Sequence, residues 1–145
     1  MRNTIRPMSS HHRSQCPISL ALETIGDSWS LLILRDMALR GKKRYGEFLE
    51  SSEGISTNIL ADRLAKLEKL GIISKADDPE SGKQFIYTPT AKGLDLIPVI
   101  SALARWGMKH DARANPNPGL KRFIDDERRA MKEIRARFGP AQGPS

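Results

Sequence analysis

The 145-residue chain predicts a mainly α fold with one small β-hairpin: a winged helix-turn-helix flanked by helices suited to dimer formation. Three observations point there. The stretch 54–73, GISTNILADRLAKLEKLGII, reads as a capped helix that stops at a glycine and runs into a strand. Two β-rich runs, IISKA and QFIYT, bracket the turn-forming DDPESGK, so they pair as a hairpin. Helical segments precede and follow this unit. A helix-turn-helix followed by a hairpin places its second helix in a major groove and the hairpin beside the duplex.

Each element has a local cause. Pro17 opens a short helix, 17–25, at the first position, where a missing N–H costs nothing. Gly26 ends it, and Asp27 or Ser28 caps the next. WSLLILRDMAL is apolar nearly all round, so that helix is central. A basic cluster follows, Arg40, Lys42, Lys43 and Arg44, with a brief extended piece near Arg44 and a short helix over 46–51. Ser56 then caps the helix that opens the quoted stretch. Ile55 and Leu60 form a hydrophobic staple. Leu60, Leu64 and Leu67 share one face, with Leu70 at its edge; Asn58, Asp62, Lys66 and Lys69 lie opposite, and Arg63 sits on a flank. Gly71 supplies the left-handed stop. After the hairpin, Thr90 caps a helix over 91–109, which Pro98 kinks or loosens by one turn. NPNPG breaks the chain, and Leu120, Phe123, Ile124, Met131, Ile134 and Phe138 recur at helical spacing.

The organisation expected is a flexible arm over 1–15, a main domain over 16–110, a linker over 111–119, an amphipathic helix over 120–138 and a tail over 139–145. The last helix either extends a dimer seam or packs back on its own subunit. Net charge is +7, which favours anionic partners. No apolar run approaches the ~20 residues of a membrane span, and the basic N-terminus lacks the apolar core of a secretory signal. A single cysteine and no signal fit a cytoplasmic setting. His11, His12 and His110 show no metal-ligand spacing, and there is no Gly-rich phosphate loop or nucleophile elbow. The residues therefore argue against an enzyme and imply neither metal nor cofactor.

Several stretches, CPISLALETIGDSWSLLILRDM, KRYGEFLESSEGISTNILADRLAKLEKLGII, YTPTAKG and LIPVISALARWG, follow one another in order. Together they resemble the HxlR-type regulators, winged helix proteins related to MarR, over about residues 16–110. The resemblance implies a homodimeric transcription factor, usually one that senses a small molecule or an oxidant, in some members through the cysteine of the Cys-Pro motif. Asp27 and Ser28 stand where the family has a second glycine and a lysine, and Pro89 stands where leucine is usual. The first departure removes a positive charge near the start of the second helix.

The partner expected is double-stranded DNA, an inverted-repeat operator, bound by a homodimer without a membrane. Ser56, Thr57 and Asn58 at the helix start suit base edges or phosphate, Asn58 as a paired contact to adenine. Arg63 and Lys66 lie further along; Arg63 can instead pair with Glu68 or Asp62. Lys42, Lys43 and Arg44 suit the flanking backbone. Lys75, Lys83 and Gln84 flank the wing tip, whose Asp77, Asp78 and Glu80 oppose phosphate. Ile97, Ile100, Leu103, Ala104 and Trp106, with Ile18 and Leu22, offer a dimer seam, which the resemblance supports; the alternative is that they only fill the monomer core. Cys16, before Pro17 at a helix start, suits an oxidant sensor because the dipole there favours thiolate, and Arg13 adds positive charge; the alternative is a small inert side chain. A winged helix that binds proteins rather than DNA is the other class that the residues allow.

Overall fold

The computed structural model describes residues 13–142. Most of the predicted arm, 1–12, and the tail end, 143–145, lie outside them. The order is α1 (Pro17–Ile25), α2 (Ser30–Arg40), α3 (Tyr45–Leu49), α4 (Thr57–Lys69), β1 (Ile73–Asp78), β2 (Ser81–Pro89), α5 (Ala91–Leu94), α6 (Ile97–His110), α7 (Pro118–Asp125) and α8 (Glu127–Gln142).

The core gathers around α2. Ile33, Leu34, Met37 and Ala38 meet Phe48 of α3, Leu60, Leu64 and Leu67 of α4, and Ile72 and Ile73 at the wing base. The α4 stop is as the sequence predicts. Gly71 sits at φ 76, and the Ile72 N–H donates back to the Leu67 carbonyl at 2.9 Å. This turn feeds the chain directly into β1. Thr90 accepts from the Gly93 N–H and donates to the Gly71 carbonyl, so one side chain caps α5 and fastens it to the end of α4. Gly93 lies so close to the Ile72 carbonyl that a Cβ there would stand 2.2 Å from its oxygen.

Three predicted elements change. The helix expected over 91–109 is two helices, parted at Asp95 and Leu96. Pro98 has no N–H to donate to the Leu94 carbonyl, so the chain restarts instead of kinking, with Pro98 in the first turn of α6. The helix expected over 120–138 is also two. Asn117 caps α7, accepting from the Leu120 N–H at 2.8 Å, and Asp126 (φ −143, ψ 73) breaks it before α8. The linker therefore ends at Asn117. Third, the hairpin strands reach further than expected and leave only Pro79 and Glu80 at the tip.

The C-terminal helices pack back on their own subunit. Phe123, Met131 and Ile134 are buried in the common core. Ser101 of α6, itself buried, donates to Glu127 at 2.9 Å, and Arg105 pairs with the same carboxylate at 2.8 Å. Arg137 donates to the Ala38 carbonyl at the end of α2. No helix among the described residues is long and apolar enough to cross a membrane.

Candidate nucleic-acid interface

The start of α4 is polar and open. Ser56 is extended (φ −77, ψ 160), and its Oγ accepts from the Ile59 N–H at 3.2 Å. Thr57 and Asn58 are exposed. The Tyr45 hydroxyl donates to the Thr57 carbonyl at 2.9 Å, which ties α3 to the α4 N-terminus and sets the angle between the two helices. Asn58, Asp62 and Lys66 succeed one another at four-residue spacing, so they line one stripe of α4.

The cations divide into two groups. Lys43, Lys66 and Lys83, and the neutral Gln84 beside them, make no side-chain hydrogen bond or ion pair among the described residues, and all but half-buried Lys66 are exposed. Lys75 is exposed too, with Nζ 4.2 Å from the Phe85 ring centroid. Lys42, Arg44 and Arg63 are engaged inside the monomer, which alters their sequence assignment as DNA contacts. Arg63 donates to Asp27 at 2.8 Å and to Asp62 at 2.5 Å. One guanidinium shared by two carboxylates has little charge to spare for phosphate. Glu68 is not its partner.

Asp27 explains the departure before the tryptophan. Its carboxylate accepts from the N–H groups of Trp29 and Ser30 at 2.9 and 3.0 Å, from the Ser30 hydroxyl at 2.6 Å, and from Arg63. It caps α2 and joins that helix to α4. Partial burial works to raise its pKa, but the hydrogen bonds from Ser30, Arg63 and the two amides outweigh it and hold the carboxyl far below the usual range.

Behind the helix-turn-helix lies a brace that the sequence did not reveal. Asp36 is 3% exposed in the middle of α2. It accepts from Arg35 at 2.8 and 3.0 Å, from Arg40 at 3.4 Å, and from the Ser51 hydroxyl, which in turn accepts from Lys42 at 2.9 Å. Arg35 also clamps Glu53 through two contacts of 2.9 Å. A carboxylate this deep needs such partners. The brace fixes residues 51–53, the turn before α4, against α2, and it uses Lys42. The one sequence signal was an Arg-Asp pair inside an otherwise apolar helix.

The brace makes stability pH-dependent. The Arg35 hydrogen bonds hold Glu53 at about 2, against an ordinary 4.5, with burial opposing. A depressed folded-state pKa contributes fully above 4.5, and the contribution fades as pH falls toward 2. Solvent screening limits it to ~1 kcal/mol. Urea unfolding over this range is expected to show wild type more stable than Glu53→Gln near neutrality, with the gap closing on acidification. A gap independent of pH would refute the assignment.

Arg44 caps α3. The Glu47 carboxylate accepts from the N–H groups of Lys43 and Arg44 at 2.8 and 3.2 Å. The Arg44 guanidinium meets Asp78 at 2.6 and 3.3 Å, Glu47 at 3.4 Å and Glu80 at 3.5 Å. These hydrogen bonds, from Arg44 first, lower the Asp78 pKa. Of the three tip acids, Asp78 thus faces inward rather than toward a duplex.

The seam residues also separate. Ile97 and Ile100 are buried in the monomer core, which corrects their assignment to a dimer interface: α2, α7 and α8 cover that side of α6. Ala104 is half-buried. Ile18, Leu22, Leu103 and Trp106 are each more than half exposed. Cys16 is exposed beside Pro17. The amides of Ser19 and Ile18 at the open end of α1 lower its thiol pKa, without a formal side-chain cap bond. The Arg13 side chain is not among the groups that shift it; its backbone N–H donates to Glu23.

Three helices, a returning hairpin and an open polar helix start define a winged helix-turn-helix, the architecture of transcriptional regulators. The profile of the HxlR-like helix-turn-helix family matches residues 24–115, and the chain belongs to that family. It is 36% identical to an HTH-type transcriptional regulator of Synechocystis sp. over 92 residues, 63% of this chain and 67% of that protein. A solved MarR-family regulator from Porphyromonas gingivalis W83 superposes with a TM-score of 0.60 at 27% identity, over 74% of this chain and 99% of that one. The redox regulator HypR in its reduced form superposes with a TM-score of 0.59 at 26% identity, over 66% and 94%.

Proposed function

We propose that the protein is a sequence-specific regulator that binds double-stranded DNA as a homodimer and represses transcription by occupying a promoter. The observation that carries this is the α4 start: Thr57 and Asn58 exposed at a capped helix N-terminus, with Lys66 two turns on and free of ion pairs. Such a terminus suits phosphate and base edges together. Lys43, Lys75, Lys83 and Gln84 supply further contacts. The exposed residues Ile18, Leu22, Leu103 and Trp106 form the dimer surface, and two-fold symmetry places two recognition helices ~34 Å apart on an inverted repeat.

Cys16 is the signal input. Its exposure, its lowered pKa and its place beside Ile18 support this, as does the likeness to a redox regulator. A peroxide transfers one oxygen to the thiolate, giving sulfenic acid and leaving as water or alcohol. A small thiol then displaces water to form a mixed disulfide. Either product alters the edge of the dimer surface and hence the spacing of the recognition helices.

The test is titration of labelled duplex from beside the protein's own gene against a scrambled duplex, at several salt concentrations. Asn58→Ala is expected to weaken the cognate duplex ~10-fold and the scrambled one little, since a paired base contact contributes ~1–3 kcal/mol of discrimination. Lys66→Ala is expected to weaken both alike and to flatten the salt slope. Peroxide is expected to release wild type but not Cys16→Ser. Release of Cys16→Ser by peroxide would remove the cysteine from the reading and leave a small-molecule effector. No binding at low salt would overturn the DNA reading in favour of a protein-binding winged helix.

A further inference from the structure

The wing is fastened to the helices at its base and again near its tip. At the base, the Tyr87 N–H donates to the Lys43 carbonyl at 2.8 Å, and the Tyr87 ring meets Phe48 edge-on at 6.4 Å. At the tip, the Asp78 side chain is 1% exposed beneath Arg44. Between these points lies an open groove of about 640 Å³ that includes Tyr45, Glu47, Lys83, Gln84 and Phe85 in its lining. Side-chain packing therefore does not set the wing's pitch along this span.

Strand register shows what the outer attachment does. Asp77 pairs with Phe85, but its neighbour Asp78 pairs with Ser81. Gly82, Lys83 and Gln84 have no partners on β1 and stand out as a bulge. Bulges bend a strand and re-aim its side chains. Asp78 also accepts from the Glu80 N–H at 2.9 Å, so the carboxylate that grips Arg44 shapes the tip turn as well. The inward-facing Asp78 and the register shift that leaves 82–84 unpaired fall at the same residue. The shift gives a mainly acidic tip an outward-facing cation and amide, both exposed.

We propose that the Arg44–Asp78 pair is a wing latch: Arg44 is a positioning residue that bends the hairpin so that Lys83 and Gln84 reach the duplex, rather than a phosphate contact itself. The inference rests on the DNA reading above. It reverses the simple electrostatic expectation. If Arg44 bound phosphate, neutralising Asp78 would free a cation, remove an anion and strengthen binding. If the pair is a latch, the same change weakens binding.

The experiment measures duplex affinity for wild type, Asp78→Asn, Lys83→Ala and the double variant, with amide exchange on the free proteins. Asp78→Asn is expected to lower affinity about fivefold or more, and Lys83→Ala to cost much less in that background than in wild type, as coupled sites do. Wing amides of Lys75–Phe85 should exchange about tenfold faster in Asp78→Asn, with α4 amides unchanged, which also confirms folding. Unchanged or tighter binding by Asp78→Asn, or fully additive losses, would overturn the latch. So would unaltered wing exchange. Wild type that binds no duplex would fail the DNA reading, and exchange without DNA would still decide whether the pair holds the wing.

Discussion

Trp106→Asp is expected to give a folded monomer whose affinity for an inverted-repeat duplex falls ~100-fold. Trp106 is 68% exposed and packs mainly on His110, ring centroids 5.0 Å apart, so the monomer core loses little. Leu103, Ile18 and Leu22 are exposed as well, and so is Val99 on α6. Large exposed apolar side chains of this kind mark interaction surfaces. A tryptophan at the centre of such a contact commonly contributes 2 kcal/mol or more, and a carboxylate in its place must be desolvated without a partner. On the dimer reading proposed above, the variant loses the avidity of two linked half-sites, which alone is worth ~100-fold or more. Light scattering gives the mass, and titration of one- and two-half-site duplexes gives the affinity. A variant that stays dimeric would place the interface elsewhere. A monomer that keeps full affinity for the two-site duplex would show that a single module suffices.

Phe123→Ala is expected to destabilise the whole domain by about 3–5 kcal/mol. Phe123 is fully buried, and α7 and α8 touch α2, α5 and α6. Total stability for a domain of this size is ~5–15 kcal/mol, so the loss takes up a large share of it. Urea unfolding should remain a single transition, displaced to lower denaturant and followed alike by tryptophan fluorescence and by circular dichroism. If the C-terminal helices were an appendage, the variant would unfold in two steps with the later one unmoved. That outcome would separate residues 118–142 from the core.

Local chemistry was legible in the sequence. The Ser56 cap, the Gly71 stop and the Thr90 cap depend on residues within five positions of one another, and each formed where the residues placed it. The helix-turn-helix and hairpin order followed from those signals. The separation at Pro98 is also a local rule, though whether a proline kinks a helix or restarts it depends on what packs at Asp95 and Leu96. The break at Asp126 had no local signal; it lets Phe123 and Ile134 reach one core from two helix directions.

The candidate site was legible as a set of residue types, and less so as a set of free groups. Arg44, Arg63 and Lys42 look like phosphate ligands in a basic chain. Their remote partners include Asp78, Asp27 and Ser51, lying 34, 36 and 9 positions away, beside the local pairs of Arg44 with Glu47 and of Arg63 with Asp62. Lys43, Lys66 and Lys83 look the same in the sequence and remain free of ion pairs. Likewise, helical spacing marks Ile97, Ile100, Leu103 and Trp106 as apolar, yet the first two face the core and the last two face out. By itself the sequence determined the caps, stops, apolar faces and net charge, because these rest on near neighbours and on composition. The tertiary structure alone decided which remote carboxylates take up Arg44 and Arg63 and which apolar residues are left exposed. Ion pairing and burial depend on distances between segments remote along the chain, and only the folded packing sets those distances.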